Sequence, residues 1–167
     1  LIEKDENYIN FIKERLQMER FEVEVAKNTT EAYDKIFEFV PDLILSAYDI
    51  EDINGFQFCK VLKNEKIFRK IPFLVLSENQ VKPLSKYWAE KCDVQDVLPK
   101  ETPYEEISLA INQLIDEYEI DDLSKVQIKN TPKKQESIQA QAISIFRSEI
   151  EKYSFLNDFR DMVNEYH

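Results

Sequence analysis

The chain has 167 residues, 43% of them hydrophobic and 33% charged, which suits one globular domain with an appendage and excludes a disordered polymer. A formal net charge of −11 argues against a nucleic-acid partner, which needs a basic face, and against anionic membrane surfaces. No apolar run approaches the ~20 residues that span a bilayer, so a soluble, cytoplasmic protein is expected. Cys59 and Cys92 lie in apolar helical contexts without CxxC spacing, which suits a reducing compartment better than a disulfide scaffold. The only histidine is the final residue, His167, which disfavours histidine catalysis and His-rich metal sites. No basic-then-apolar leader opens the chain, and Leu1 reads as partway into a strand, so a fragment of a longer protein is expected.

Taken in order, strand and helix signals alternate. Leu1 and Ile2 form the tail of a first strand. Residues 7–17 place Tyr8, Phe11, Ile12 and Leu16 on one helical face. Residues 21–25 alternate apolar and acidic with period two, the pattern of a half-exposed edge strand. Thr29 or Thr30 caps a helix running to Phe39, with Ala32, Ile36 and Phe39 inward. The apolar run Leu43, Ile44, Leu45 is that of a parallel strand covered on both faces.

A third helix covers 56–62, with Phe58, Val61 and Leu62 inward. A buried strand covers 72–76, a helix 84–91, and a short last strand Val97 and Leu98. Thr102, Pro103 and Glu105 form a helix start with threonine as cap. That helix keeps Ile107, Ala110, Ile111, Leu114 and Ile115 on one face. Residues 119–135, acidic and then lysine-rich around Pro132, read as a linker. Residues 136–167 regain helical period through Ile138, Ala142, Phe146, Ile150 and Tyr153, then Leu156, Phe159, Val163 and Tyr166, with a break at Ser154. They hold too few apolar residues for a core of their own, so they pack on the domain, on a second copy or on another segment.

Five strands alternating with five helices imply right-handed crossovers and a parallel sheet, an α/β doubly wound fold. Chemistry in such sheets gathers outside the carboxyl ends of the strands. Those ends fall at Glu3 and Lys4, Ala47, Ser77 and Lys100. The most informative segment is 41–56, where a buried strand runs into the acidic loop of Asp49, Glu51 and Asp52, and Gly55 then opens a helix. The layout normally presents a reactive carboxylate where this chain has Ala47.

The element order, the Pro-Asp-Leu-Ile-Leu run at 41–45, Gly55-Phe56, Ile71-Pro72 and Lys100 resemble the receiver domain of bacterial two-component response regulators. The likeness covers residues 1–118, and it implies a flavodoxin-like five-stranded sheet of order 2-1-3-4-5 followed by a helical extension over 136–167. In that family an acidic pair holds Mg²⁺, an aspartate accepts the phosphoryl group, and a hydroxyl and a lysine contact its oxygens. Matched by position, the acidic pair falls on Glu3 and Lys4, the acceptor on Ala47, the hydroxyl on Ser77 and the lysine on Lys100. The family gives the place of Asp49 a backbone carbonyl for the metal. The proline that usually follows the lysine is Glu101, and the switch aromatic is Val97. Tyr87 and Trp88, on the fourth helix, fall on the family's partner-binding face.

Two carboxylates are thus lost and an ammonium gained, which leaves Mg²⁺ without its hard oxygen ligands and the phosphoryl group without a nucleophile. Lys4 is expected to replace the metal as an internal cation, paired with Glu3 or Asp49. Ser77 and Lys100 then hold the loops by hydrogen bonds or take a different anion, and the linker lysines are solvated. Lys4, Val97 and Glu101 depart from the family pattern independently, which suits natural degeneracy.

The reading that follows is a non-enzymatic, phosphorylation-independent pseudo-receiver without cofactor or metal. It would bind a protein partner or output domain, with dimerisation through the C-terminal helices as a further expectation. One alternative is an atypical phosphoacceptor using Asp49. Another is the regulatory fragment of an enzyme, such as a cyclic-nucleotide signalling enzyme.

Overall fold

Local signals start each helix of the fold, a computed structural model that describes residues 1–51, 53–133 and 136–153. Asp5 caps α1 (Glu6–Met18) by accepting the Asn7 and Tyr8 amides, and Ile9, Ile12 and Leu16 face inward. Asn28, not a threonine, caps α2 (Thr29–Phe39) through the Glu31 amide, and Thr29 is buried within the first turn. The helix ends at Val40, whose φ of 48° is left-handed, a costly state for a β-branched residue that Pro41 then locks out of helix. A capping box between Asn54 and Gln57 starts α3 (Gly55–Asn64). Proline opens α4 (Pro83–Lys91). The last of these helices, α5 (Tyr104–Glu117), begins one residue later than expected. Pro103 occupies its cap position, and Thr102 makes no capping bond.

Three parallel strands form the sheet: β1 (Ile44–Ala47), β2 (Phe73–Ser77) and β3 (Asp96–Pro99), in that spatial order. Ile44 pairs with Phe73 and Leu74 with Asp96. Of the five expected strands, the two N-terminal ones are single bridges: Ile2 pairs with Ser46 on one side and with Ala26 on the other, both parallel. Residues 21–25 form no ladder, and on that side the first segment is bridged by Ala26.

Period two sorts the strand residues to opposite faces. Leu45, Leu74 and Leu76 join Ile12, Leu16, Ile107, Ile111 and Leu114 beneath α1 and α5. Ile44, Phe73 and Val75 join Ile36, Phe37, Phe58, Val61 and Leu62 beneath α2 and α3. Both faces are covered, which is why the strands read as unbroken apolar runs.

Beyond Tyr118 the structure corrects the linker. Within 119–135 stands α6 (Asp122–Asn130), capped by Asp121, with Ile120 and Ile128 buried in the same core as α2 and α3. Lysines read as solvated are ion-paired: Lys125 with Asp42 at 2.8 Å, and Lys133 with Asp34 at 3.2 Å. The next helix, α7 (Ile138–Tyr153), packs along α3, and Ile138 and Ala142 enter the domain core. The first part of the apolar stripe is therefore spent inside one chain, not on a second copy. Ser154, Leu156, Phe159, Val163 and Tyr166 lie outside the described residues. Among those described, no helix is long and apolar enough to cross a membrane.

Candidate functional site

The carboxyl ends of the central segments meet as the topology requires, and Glu3 is the centre. Its side chain is 1% exposed. Oε1 accepts the backbone amides of Lys4 at 2.8 Å and Asp5 at 3.0 Å, so the turn into α1 folds around the carboxylate. Oε2 accepts no aligned hydrogen bond, but Lys100 Nζ stands 2.7 Å away as its countercharge. Lys100 reaches Glu78 with the same ammonium and lies 5.1 Å from the centroid of the Tyr8 ring. Burial pulls the Lys100 pKa down, but its pairing with the Glu3 and Glu78 carboxylates outweighs this and holds it above the ordinary lysine value. Burial pushes the Tyr8 phenol up to about 12, and its hydroxyl donates to the Lys100 carbonyl at 3.4 Å.

Lys4 pairs with Asp49 at 3.0 Å, but in the open: the two side chains are 54% and 65% exposed. The internal cation expected of Lys4 is therefore Lys100. The reason is local. Glu3 takes the Lys4 amide, which leaves the Lys4 side chain directed outward, while Lys100 arrives at the end of β3 on the buried side.

Ala47 is 1% exposed and tightly enclosed. Its amide donates to the Ile2 carbonyl at 2.8 Å, and its own carbonyl accepts the Ser46 hydroxyl at 2.9 Å. Gly55 returns the loop by donating to the Tyr48 carbonyl at 2.7 Å. A Cβ there would come within 2.7 Å of the Ala47 carbonyl, so glycine is required for this close approach. The Ser77 hydroxyl turns onto its own loop, donating to the Asn79 carbonyl at 2.8 Å. Glu51 is exposed, and Asp52 lies outside the described residues.

The structure thus joins Glu3 to Lys100 and Lys4 to Asp49, and it leaves Ser77 in a separate turn. Tyr87 and Trp88 stack edge-on at 5.4 Å on α4, both half-buried. Val97 is 7% exposed and belongs to the core, so it presents no surface to a partner. Sequence reasoning missed Tyr8 and Glu78. Glu78 was within reach, since it directly follows Ser77 at a strand's carboxyl end. Tyr8 lay hidden among the apolar positions of α1.

Mg²⁺ does not fit these residues. One carboxylate is folded into a turn and faced by an ammonium, another is paired with Lys4, and alanine offers no donor. Among the described residues no three metal-ligating side chains converge.

A parallel α/β sheet with an acid, a serine and a lysine at its strand ends is the layout expected of a receiver fold. The chain belongs to the response regulator receiver domain family, whose model matches residues 1–112. It is similar to the response regulator Rre1 of Synechocystis, with 32% identity over 57 residues, and spans 25% of that protein's length. Its fold is similar to the receiver domain of a signal transduction histidine kinase from Syntrophus aciditrophicus (TM-score 0.65, 21% identity, 72% of this chain and 91% of that one). A CheY-like receiver domain protein from Methanospirillum hungatei matches comparably (TM-score 0.63, 19% identity, 71% and 92%). So does a two-component response regulator from Clostridium difficile (TM-score 0.64, 22% identity, 71% and 95%). Receiver domains are signalling modules of two-component systems, and this chain carries that flavodoxin-like fold.

Proposed function

We propose that this receiver domain signals without being phosphorylated, as a module of fixed shape for a protein partner or output domain. The observation that carries the reading is Ala47 at the acceptor position, together with the pairing of Glu3 and Lys100. A buried alanine offers no nucleophile, and the lysine that would meet a phosphoryl oxygen is already held by two carboxylates. Val97 supports the same view. A buried valine has no ring to swing between buried and exposed positions as a switch aromatic would.

The bridges at Ile2 and Ala26 are read as remnants of two further strands, which gives the order 2-1-3-4-5. The receiver unit then spans 1–118, with α6 and α7 as a packed extension leading toward an output domain. The partner face centres on Tyr87 and Trp88 of α4, without Val97.

Incubation with acetyl phosphate and Mg²⁺, followed by intact mass at neutral pH where acyl phosphates survive, tests the proposal. No adduct is expected, and titration with Mg²⁺ should leave the melting temperature unchanged. A Mg²⁺-dependent phosphoryl adduct that disappears in Asp49→Ala would replace this reading with an atypical acceptor. Asp49 is the residue to probe because it is an exposed carboxylate two positions past Ala47, paired with Lys4.

A further inference from the structure

Gly55 is the only glycine of the chain, and it follows Asn54. Two local demands put that pair together. The Ala47 carbonyl lies 2.7 Å from where a Cβ at position 55 would stand, which requires glycine. The residue before it is the cap of α3, a position for which asparagine is among the best side chains. The outcome is the dipeptide in which a side-chain amide is least shielded from the next backbone nitrogen.

An Asn-Gly pair carries a reaction of its own. The Gly55 nitrogen, on losing its proton to water or hydroxide, attacks the side-chain carbonyl carbon of Asn54. An N–Cγ bond forms, the Cγ–Nδ2 bond breaks, and the side-chain nitrogen leaves as ammonia with a proton from solvent. Water then opens the resulting succinimide at either carbonyl. One product is aspartate. The other is isoaspartate, whose main chain runs through Cβ and Cγ.

The fold holds both reacting groups off this path. The Gly55 amide donates to the Tyr48 carbonyl at 2.7 Å. Asn54 Oδ1 accepts the Gln57 amide at 2.9 Å, and the Asn54 amide donates to Gln57 Oε1 at 3.1 Å. Ring closure needs Cβ and the Gly55 nitrogen nearly eclipsed about the Cα–C bond, whereas the ψ of Asn54 is an extended 164°. Rotating ψ breaks the capping box, and removing the Gly55 proton breaks the bond to Tyr48.

We propose that Asn54 is a deamidation site sealed by these contacts and reactive only when the amino end of α3 opens locally. The two products differ in consequence. Aspartate still caps α3. Isoaspartate lengthens the main chain by a methylene, so Gly55 cannot return to its close seat against Ala47 and Tyr48. Opening is reversible, and its isoaspartyl record is not.

The test holds the full chain in mildly alkaline buffer beside a synthetic peptide of residues 51–58, acetylated and amidated. Intact mass and peptide mapping follow the exchange of an amino for a hydroxyl group, and isoaspartyl methyltransferase labels the isomer. The full chain should react at least about tenfold more slowly than the peptide, since the open state is the minor one. Urea below the unfolding midpoint should raise the deamidation rate and the amide hydrogen exchange of Gly55 by the same factor. Asn54→Ser, which keeps a capping oxygen, should abolish the mass gain at this position. Equal rates for chain and peptide would overturn the proposal. So would deamidation that stays constant while Gly55 exchange accelerates, because the reaction would then not pass through the opening. These outcomes are independent of whether the domain takes a phosphoryl group.

Discussion

At Glu3 the chain buries a carboxylate beside a turn, and the consequence falls on Lys100. A buried ion pair contributes little over a well-packed apolar pair, but removing one partner strands the other charge. Lys100→Met should therefore cost about 3–5 kcal/mol in urea unfolding, and the double variant with Glu3→Gln should regain much of it. The exposed pair behaves differently: Lys4→Met should stay within about 1 kcal/mol of the parent. Equal effects from Lys4→Met and Lys100→Met would show that Lys100 is not the internal cation. The pairing also has a pH signature. The Lys100 pKa is raised on folding, so its stabilising effect is complete below the ordinary lysine value and is lost as pH rises through the raised one. The Lys100→Met variant should lack that alkaline loss.

The elements show which signals travel in sequence and which do not. Ile128 separates them: it is 1% exposed on α6, a helix inside a segment whose composition is that of a spacer. Truncation to alanine should cost about 2–5 kcal/mol in chemical unfolding, whereas Leu123→Ala on the same helix, 76% exposed, should shift stability by less than about 0.5 kcal/mol. Comparably small shifts from both would restore the spacer reading. The helices over Ile12 and Leu16, Ile36, Phe58 and Ile107 were legible because their apolar spacing repeats through several turns. Both central strands were legible because burial on two faces leaves an unbroken apolar run. On α6 the signal is one buried isoleucine in a polar helix whose Lys125 is paired with Asp42 and whose cap Asp121 is paired with Lys70, both partners coming from elsewhere in the fold. That is tertiary information. Residues 21–25 show the complementary failure: their alternation is that of a strand, but a strand also needs a partner's backbone, and the bridge to Ile2 is made by Ala26. Site positions were legible from the strand ends alone. Which ammonium meets Glu3 was not, because it depends on the direction in which Lys4 leaves its turn.

Over the whole molecule, 22 basic against 33 acidic side chains make the long-range electrostatics repulsive, while the short-range ones are attractive. The exposed pairs, such as Lys4 with Asp49 and Lys125 with Asp42, are direct contacts near 3 Å. The uncompensated acids act over larger distances. Salt separates the two ranges, because the screening length falls from about 30 Å at 0.01 M to about 3 Å at 1 M. Repulsion between distant carboxylates is then removed first, and the contact pairs, together with the buried Glu3–Lys100 pair, are weakened last. The melting temperature should accordingly rise between 0.02 and about 0.5 M sodium chloride, a range in which most long-range repulsion is screened. A falling melting temperature would mean that the ion pairs outweigh the net charge. The same field bears on partner choice. An acidic domain attracts a basic docking surface at a distance, so an acidic partner of the α4 face would have to overcome repulsion that grows as salt is lowered.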